Sequence, residues 1–303
     1  MNYFKQIMFR LSILLALIGL LLATPALADS DLRPFNVSAT AAFRSGVVVL
    51  QRGNYQEAIE YFTGAIKADP KWMAAYGNRC LAYLESNQYE RAIADCSQAL
   101  TLVQDNVEAY LNRGLAYYRL GQYNKAIANY NSLLKHKPYD FRAYYNRGLA
   151  YFALEDYEAA LTNYNQSLNQ GPANTDMAEI YGERGVSYLM LKNTKSAIAN
   201  FDRMIHLQPH AAGAYFNRAC AYHQQGDYVA ALEDFTQALQ FAPNYAQAFL
   251  NRGAVHQELG HQQAAIADLK QAAQCFLAQG AMIAYRQTLE LIDSLKPSIS
   301  AFA

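Results

Sequence analysis

The hydrophobic pattern of the chain is that of short amphipathic helices, and the stretch from Tyr110 to Pro138 shows it most clearly. Apolar residues recur there at three- and four-residue spacing, as on one face of a helix, both before and after Gly121. Gly121 predicts the left-handed turn that ends the first helix, and Pro138 ends the second. The stretch is therefore predicted to form a helical hairpin, which is too short to bury its own apolar faces.

The same hairpin pattern returns along the chain with a regular period of about 34 residues. Seven copies fit, at residues 39–72, 73–106, 107–140, 141–174, 178–211, 212–245 and 246–279. Each copy has a small residue in its first helix, and these are Gly46, Cys80, Gly114, Gly148, Gly185, Ala219 and Gly253. Each also has an alanine twelve residues later, at Ala58, Ala92, Ala126, Ala160, Ala197, Ala231 and Ala265. Such stacked copies would bury one continuous core.

This pattern resembles the tetratricopeptide repeat (TPR), in the exported bacterial form with Asn-Arg-Gly in the first helix of many copies. The resemblance implies an all-α fold, a right-handed superhelical solenoid of seven helix-turn-helix repeats over residues 39–279. Residues 280–303 are predicted to form a capping helix and tail. We expect one elongated domain in which each repeat contacts its neighbours. The fifth copy is irregular, with Thr175-Asp176-Met177 inserted before it, so a bend into blocks of four and three repeats is an alternative.

The N-terminal segment, residues 1–28, differs from the repeats. Lys5 and Arg10 precede an uncharged apolar run, which ends before the sequence Ala26-Leu27-Ala28. This arrangement predicts a signal peptide, followed by a polar tether at residues 29–38 and by export to a periplasm or thylakoid lumen. An uncleaved anchor is the alternative, although the run is shorter than the ~20 residues that span a membrane. Contact with a membrane is expected only if the segment is uncleaved.

Composition and motifs argue against several classes of function. The chain has 25 basic and 25 acidic residues, and this balance disfavours nucleic acids and anionic lipids as partners. No phosphate loop, nucleophile elbow or zinc-protease motif is present, so we expect no catalysis, no cofactor and no small-molecule substrate. His206 and His210 have a metal-like spacing, but Pro209 lies between them and no further ligand is near in the sequence.

An arginine precedes the small residue in six of the copies, and an Asp or Asn follows sixteen residues after it. The first copy has Ser45 and Tyr61 instead and so lacks both partners together. This joint absence predicts a hydrogen bond from each arginine to the Asp or Asn of the same hairpin, because a partly buried guanidinium needs an acceptor. The six pairs are Arg79–Asp95, Arg113–Asn129, Arg147–Asn163, Arg184–Asn200, Arg218–Asp234 and Arg252–Asp268.

An asparagine ladder lies one residue before the arginines, at Asn78, Asn112, Asn146, Asn217 and Asn251. In a TPR array this position points into the concave groove, and the pattern resembles the ladder with which O-linked N-acetylglucosamine transferases hold a peptide main chain. The alternative is that these amides only solvate the groove or fix a neighbouring helix. The resemblance implies that the protein is a scaffold that binds a protein or peptide segment in this groove. The groove would be flanked by an apolar stripe that includes Leu111, Leu115, Tyr118, Tyr145, Leu149 and Phe152.

Two other functions compete with this interpretation. A membrane-tethered assembly factor for an envelope or photosynthetic complex would keep its N-terminal helix. An enzyme subunit would need a catalytic constellation, and the sequence contains none. A TPR clamp for a C-terminal carboxylate is disfavoured, because Phe43, Val47 and Leu81 replace its polar residues.

The pairing of the four cysteines depends on whether the protein is exported to an oxidising compartment. Cys80 and Cys96 occupy facing positions of one hairpin, so they form either a disulfide or two buried thiols. Cys220 and Cys275 fall at unrelated repeat positions and are expected to be free.

Overall fold

The computed structural model describes residues 37–295, and this part of the chain forms fifteen α-helices and no β-strand. The predicted signal peptide and most of the tether lie outside the described residues. The all-α fold is confirmed. The helices are α1 (Val37–Gln51), α2 (Tyr55–Ala68), α3 (Met73–Glu85), α4 (Tyr89–Leu102), α5 (Val107–Arg119), α6 (Tyr123–His136), α7 (Phe141–Ala153), α8 (Tyr157–Asn169), α9 (Asn174–Met190), α10 (Thr194–Leu207), α11 (Ala212–Gln225), α12 (Tyr228–Phe241), α13 (Ala246–Glu258), α14 (Gln262–Ala278) and α15 (Met282–Leu295).

The helices pack as consecutive hairpins and fall into two compact units. Among the described residues, the division lies between Pro172 and Ala173. The first unit contains the four hairpins from α1 to α8, and the second contains the three hairpins from α9 to α14 together with α15. Within each unit, the second helix of a hairpin packs against the first helix of the next one. The division falls at the irregular joint before the fifth copy.

The insertion at Thr175-Asp176-Met177 lengthens a helix instead of forming a loop. Helix α9 begins at Asn174 and has 17 residues, whereas α7 has 13. Lys192, which replaces the turn glycine in this hairpin, keeps a left-handed backbone with φ of 59°, close to the 71° of Gly121. The irregular sequence therefore preserves the hairpin turn and changes the start of the first helix.

A glycine of the first helix packs under an aromatic ring of the second in four hairpins. At Gly114, an added Cβ atom would lie 2.5 Å from Cε1 of the fully buried Tyr130. Two α-helices can approach this closely only where one of them lacks a side chain. The four pairs, each sixteen residues apart, are Gly46–Phe62, Gly114–Tyr130, Gly148–Tyr164 and Gly185–Phe201.

In the second hairpin a disulfide between Cys80 and Cys96 replaces this glycine–aromatic pair. Their Cα atoms are 5.4 Å apart, and both side chains are fully buried. The alternative of two reduced thiols is therefore not adopted in this structure. Cys220 and Cys275 are free thiols, as the sequence predicts.

The arginine of each predicted pair bonds to its Asp or Asn, and in five hairpins the structure adds a second partner. Arg252 donates through Nε and Nη2 to Asp268 at 2.8 and 2.7 Å, and its Nη1 donates to Thr236 at 3.0 Å. Because Thr236 belongs to the preceding hairpin, the guanidinium joins two repeats. The six hydrogen bonds predicted within single hairpins, from each arginine to its Asp or Asn, are confirmed. The second partners are Thr63 for Arg79, Ser97 for Arg113, Asn131 for Arg147, Asp202 for Arg218 and Thr236 for Arg252.

Helix α15 occupies most of the stretch predicted to cap the array. Ala284 and Ile292 are buried in one apolar cluster with Phe276 of α14. None of the helices in the described part of the chain is both long enough and apolar enough to cross a membrane. The same residues bring no three His, Cys, Asp or Glu side chains together as a metal site.

Candidate functional site

The asparagine ladder is mostly buried, contrary to the prediction that its amides are presented in an open groove. Asn78, Asn112, Asn146 and Asn251 are at most 5% exposed, and only Asn217 is partly exposed. The amide of Asn78 donates 3.0 Å to the carbonyl oxygen of Ala74, on its own helix. A partner's main chain therefore has no direct access to these four amides in this structure.

The apolar stripe is buried as well, which corrects the expectation that it lines an open groove. Leu111, Leu115, Tyr145 and Leu149 are at most 3% exposed. Tyr118 is nearly buried at 9%, and only Phe152 is partly exposed. These residues are core residues of the first unit.

The physical reason is that first helices of neighbouring hairpins pack directly against one another. Between α5 and α7, Arg142 Nη2 lies 2.8 Å from Glu108 Oε1. Between α11 and α13, the Asn251 amide lies 3.5 Å from the Cys220 sulfur. Side chains that lie between two such helices are covered by both.

One buried amide is not satisfied within this packing. The Oδ1 atom of Asn112 is buried and has no hydrogen-bond partner in the part of the chain that the structure describes. A buried carbonyl oxygen without a partner costs stability, so this asparagine is not explained by stability alone.

The position of the ladder residue in the fifth hairpin is held by Glu183, on α9. Burial, and to a smaller extent the negative charge of Glu179, raises the pKa of Glu183 to about 8. Burial also raises the pKa of Glu179, with a further contribution from Asp176. The first helix of this hairpin therefore carries an acidic face whose innermost carboxyl is protonated at neutral pH.

We expect the second unit to lose stability as the pH rises from about 4.5 to about 8. In this range, Glu183 is ionised in the unfolded chain but protonated in the folded one, so the unfolded state binds fewer protons. Because a tenfold change in proton affinity is worth ~1.4 kcal/mol, and because the side chain keeps some solvent access, we expect a loss of about 2 kcal/mol. Thermal melts of the wild type and Glu183→Gln should differ at pH 8.5 and converge at pH 4. Parallel pH profiles would contradict the prediction.

A partly exposed set of aromatic rings follows the turns of the first unit, and we call it the tyrosine row. It consists of Tyr55, Tyr89, Tyr123 and Tyr157, which recur at the repeat period and begin the helices α2, α4, α6 and α8. In the second unit the equivalent positions hold Thr194, Tyr228 and Gln262, so the row is confined to the first unit.

The hairpin turn sets the place of each ring. Two residues before each tyrosine the backbone takes a left-handed conformation, with φ between 60° and 79°. The chain then enters the second helix with the ring directed back toward the end of the first. The ring centroids of Tyr123 and Tyr118 are 5.4 Å apart, and those of Tyr157 and Phe152 are 5.3 Å apart.

The row also reaches the following hairpin. Tyr55 of α2 lies beside Glu85 at the end of α3, and the negative charge of Glu85 is the main reason that the pKa of Tyr55 is raised. Burial raises the pKa of Glu85, while a hydrogen bond from Tyr55 and the charge of Arg119 act in the opposite direction. The Tyr89 hydroxyl is held by Asn87, at 2.6 Å from Oδ1. Tyr55 is thus the ring of the row that contacts the end of the next first helix.

The tyrosine row was missed in the sequence interpretation, although its signal is present. The 24 tyrosines of the chain suggest core packing when they are considered together. The useful signal is that four of them recur at one repeat position, directly after the turn. Their partial exposure appears only in the folded structure.

Family models for the tetratricopeptide repeat match most of the repeat region. A model described as TPR repeat matches residues 81–121. Two models described as tetratricopeptide repeat match residues 185–249 and residues 23–71 and 111–175. No curated protein matches the chain.

Solved structures of TPR proteins have a similar fold. A tetratricopeptide repeat protein from Parabacteroides merdae is 21% identical, with a TM-score of 0.64, over 83% of this chain and 99% of that one. PilF from Pseudomonas aeruginosa is 16% identical, with a TM-score of 0.60, over 72% and 96% of the two chains. YrrB, described as a TPR protein with an unusual peptide-binding site, is 20% identical, with a TM-score of 0.52, over 64% and 97%. At these identities the similarity concerns the fold alone.

Proposed function

We propose, since the chain belongs to the tetratricopeptide repeat family, that it is a non-catalytic scaffold that binds an extended segment of a partner protein. Repeat arrays of this kind use surfaces that run over several repeats as binding sites. The peptide-binding site of YrrB supports a peptide as the ligand class. We place the binding surface on the tyrosine row, because the asparagine ladder and the apolar stripe are mostly buried.

The observation that carries this proposal is that the rings of the tyrosine row are partly exposed and recur at the same position of successive repeats. Four rings at one repeat position remain partly exposed, although about half of the residues in the neighbouring first helices are buried. Tyrosine offers a large contact area with few rotatable bonds, together with a hydroxyl group, and it is enriched at protein interfaces. A row of such rings across four hairpins is suited to a segment that runs across the repeats.

The proposal is tested by selecting peptides of twelve residues from a random phage-displayed library on the intact protein. We expect selected peptides to bind more weakly to the Tyr89→Ala and Tyr123→Ala variants, by about tenfold each, which is ~1.4 kcal/mol for an aromatic contact. Tyr228→Ala is the matched control, because this tyrosine holds the same repeat position in the second unit without neighbours in a row. Its affinity should be that of the wild type.

Circular dichroism melts of each variant separate lost binding from lost folding. If no peptide is selected, or if the selected peptides bind equally to the row variants and to Tyr228→Ala, the row is not the binding surface.

We also propose that the protein acts outside the cytoplasm, in a periplasm or thylakoid lumen. Two observations support this proposal: the signal-like sequence before Asp29, and the disulfide pair Cys80–Cys96, since such bonds persist in oxidising compartments. We expect mass spectrometry of the native protein to find its N-terminus at Asp29. An intact Met1 in a membrane fraction would favour the tethered alternative instead.

A further inference from the structure

We propose that the seventh hairpin binds a divalent transition metal ion of the zinc and copper type through two histidine side chains, His256 and His261. His256 lies near the end of α13, and His261 is the residue directly before α14. The Nδ1 atoms of the two rings are 3.4 Å apart. This site lies in the second unit, away from the tyrosine row, so it goes beyond the proposed scaffold function.

The separation of the two nitrogen atoms fits ligands that share one metal ion. Zinc–imidazole bonds are ~2.0–2.1 Å long, so two nitrogen ligands of one tetrahedral zinc ion are about 3.3–3.4 Å apart. The usual N–H···O hydrogen bond in proteins is shorter, at ~2.7–3.2 Å. A hydrogen bond between the two rings of His256 and His261 is therefore a weak one, which a metal ion can replace with little movement of the backbone.

The rings are also arranged so that a metal ion can reach both. Their centroids are 5.7 Å apart, so the Nδ1 atoms, at 3.4 Å, lie on the sides of the rings that face each other. His261 is exposed and His256 is partly exposed. A rotation of the exposed ring is enough to bring both lone pairs onto one ion that enters from solvent.

Both histidines replace residues of a different type that the other copies share. The position of His256 holds a tyrosine in five other copies and Val49 in the first. The position of His261 holds Asn, Gln or Asp in all six other copies. The seventh copy alone has an imidazole at either position, and it has one at both. The five tyrosines are Tyr83, Tyr117, Tyr151, Tyr188 and Tyr222.

Helix stability does not account for the histidine before α14. At the same position of other hairpins, the side chains of Asp156, Asn193 and Asp227 accept a hydrogen bond from the first turn of the following helix. The side chain of His261 makes no such bond. Loss of an N-cap costs ~1 kcal/mol, so the seventh copy gives up a stabilising contact at the position where it gains an imidazole.

A carboxylate lies beside the other nitrogen of one ring, as is common for metal-binding histidines. Asp268 Oδ2 is 3.9 Å from Nε2 of His256. Its negative charge favours the tautomer with the proton on Nε2, which leaves the Nδ1 lone pair for a metal ion. The positive charge of Arg252 is balanced at this place, because its Nε and Nη2 donate to the same carboxylate.

The site is an open one. The described part of the chain brings no third His, Cys, Asp or Glu side chain to this pair. A tetrahedral ion bound by His256 and His261 therefore keeps two positions for water or for a ligand from another molecule. Imidazole suits zinc, copper and nickel ions, and affinity is highest for Cu²⁺ in this series. We expect an exchangeable ion rather than one on which folding depends.

The inference is tested by titrating Zn²⁺ into the full-length protein without an affinity tag, followed by isothermal titration calorimetry. Two variants restore residues of the other copies and so keep the fold: His256→Tyr and His261→Asn. Each should weaken Zn²⁺ binding at least tenfold, because losing even a hydrogen-bond partner of a metal ligand costs ~10–100-fold in affinity. His206→Ala is the control and should bind as the wild type does. Affinities of the two variants that equal the wild type would overturn the inference.

Nuclear magnetic resonance of the ¹⁵N-labelled imidazoles shows which atoms bind. One equivalent of Zn²⁺ should shift the Nδ1 resonances of both His256 and His261, and the two variants assign these signals. The resonances of His206 and His210, whose spacing in the sequence is metal-like, should stay in place. A shift at only one of the two rings, or at neither, would contradict a shared ion. The binding of peptides to the tyrosine row is measured separately, so either proposal can fail without the other.

Discussion

Replacing Gly114 with alanine should lower the free energy of unfolding of the first unit by about 2 kcal/mol, the usual cost of overpacking a tight core. The added methyl would lie 2.5 Å from the ring of Tyr130, which is fully buried in a close-packed interior. The higher helix propensity of alanine, worth up to ~1 kcal/mol, offsets only part of this strain.

Gly77→Ala is the matched control, because Gly77 lies in the neighbouring first helix α3. Apart from the backbone of its own helix turn and its chain neighbours, no atom lies within 4 Å of the Cβ that this substitution adds, so the variant should gain up to ~1 kcal/mol. Urea unfolding followed by the fluorescence of Trp72 measures both changes, since this buried residue is the only tryptophan of the chain and belongs to the first unit. The sixth hairpin already has an alanine, Ala219, opposite an aromatic residue, Phe235. If Gly114→Ala leaves the stability unchanged, α5 and α6 can move apart to make room for the added methyl, and the prediction is wrong.

Removing the disulfide should destabilise the first unit by about 3 kcal/mol. The double variant Cys80→Ala, Cys96→Ala opens a cross-link over 16 residues, and the chain-entropy model assigns ~3 kcal/mol to a loop of this length. Both sulfurs are fully buried, so their loss also removes packing atoms. The same urea experiment, with and without reductant, measures the change. Reductant should shift the wild type and leave the double variant unaffected.

A second double variant separates the covalent constraint from packing. Cys80→Gly with Cys96→Tyr copies the pair that Gly114 and Tyr130 form in the next hairpin. It should recover part of the loss, because the ring fills the space left by the sulfurs. Cys220→Ala, which removes a free thiol of the second unit, should not change the Trp72 transition. If the alanine double variant is as stable as the oxidised wild type, the bond has no stabilising role.

The sequence alone determined the elements of the fold. Apolar spacing within each copy, the residue at the turn and the regular repeat period together predicted helical hairpins, and the structure has them. The arginine pairing was also predictable, because Ser45 and Tyr61 replace both partners at once in the first copy. These features depend on contacts within one hairpin, whose geometry follows from local spacing along two helices.

Only the tertiary structure decided which faces remain exposed. Periodicity indicated that Asn112 and Leu115 share one face of a helix, but not that a neighbouring first helix covers this face. The hydrogen bond from Arg252 to Thr236 and the contact of Tyr55 with Glu85 likewise join different hairpins. Such contacts depend on the distance and angle at which repeats stack, and these result from side-chain packing across the whole interface. A repeated sequence therefore specifies the hairpin, whereas the packing between hairpins determines the surface that a partner can reach.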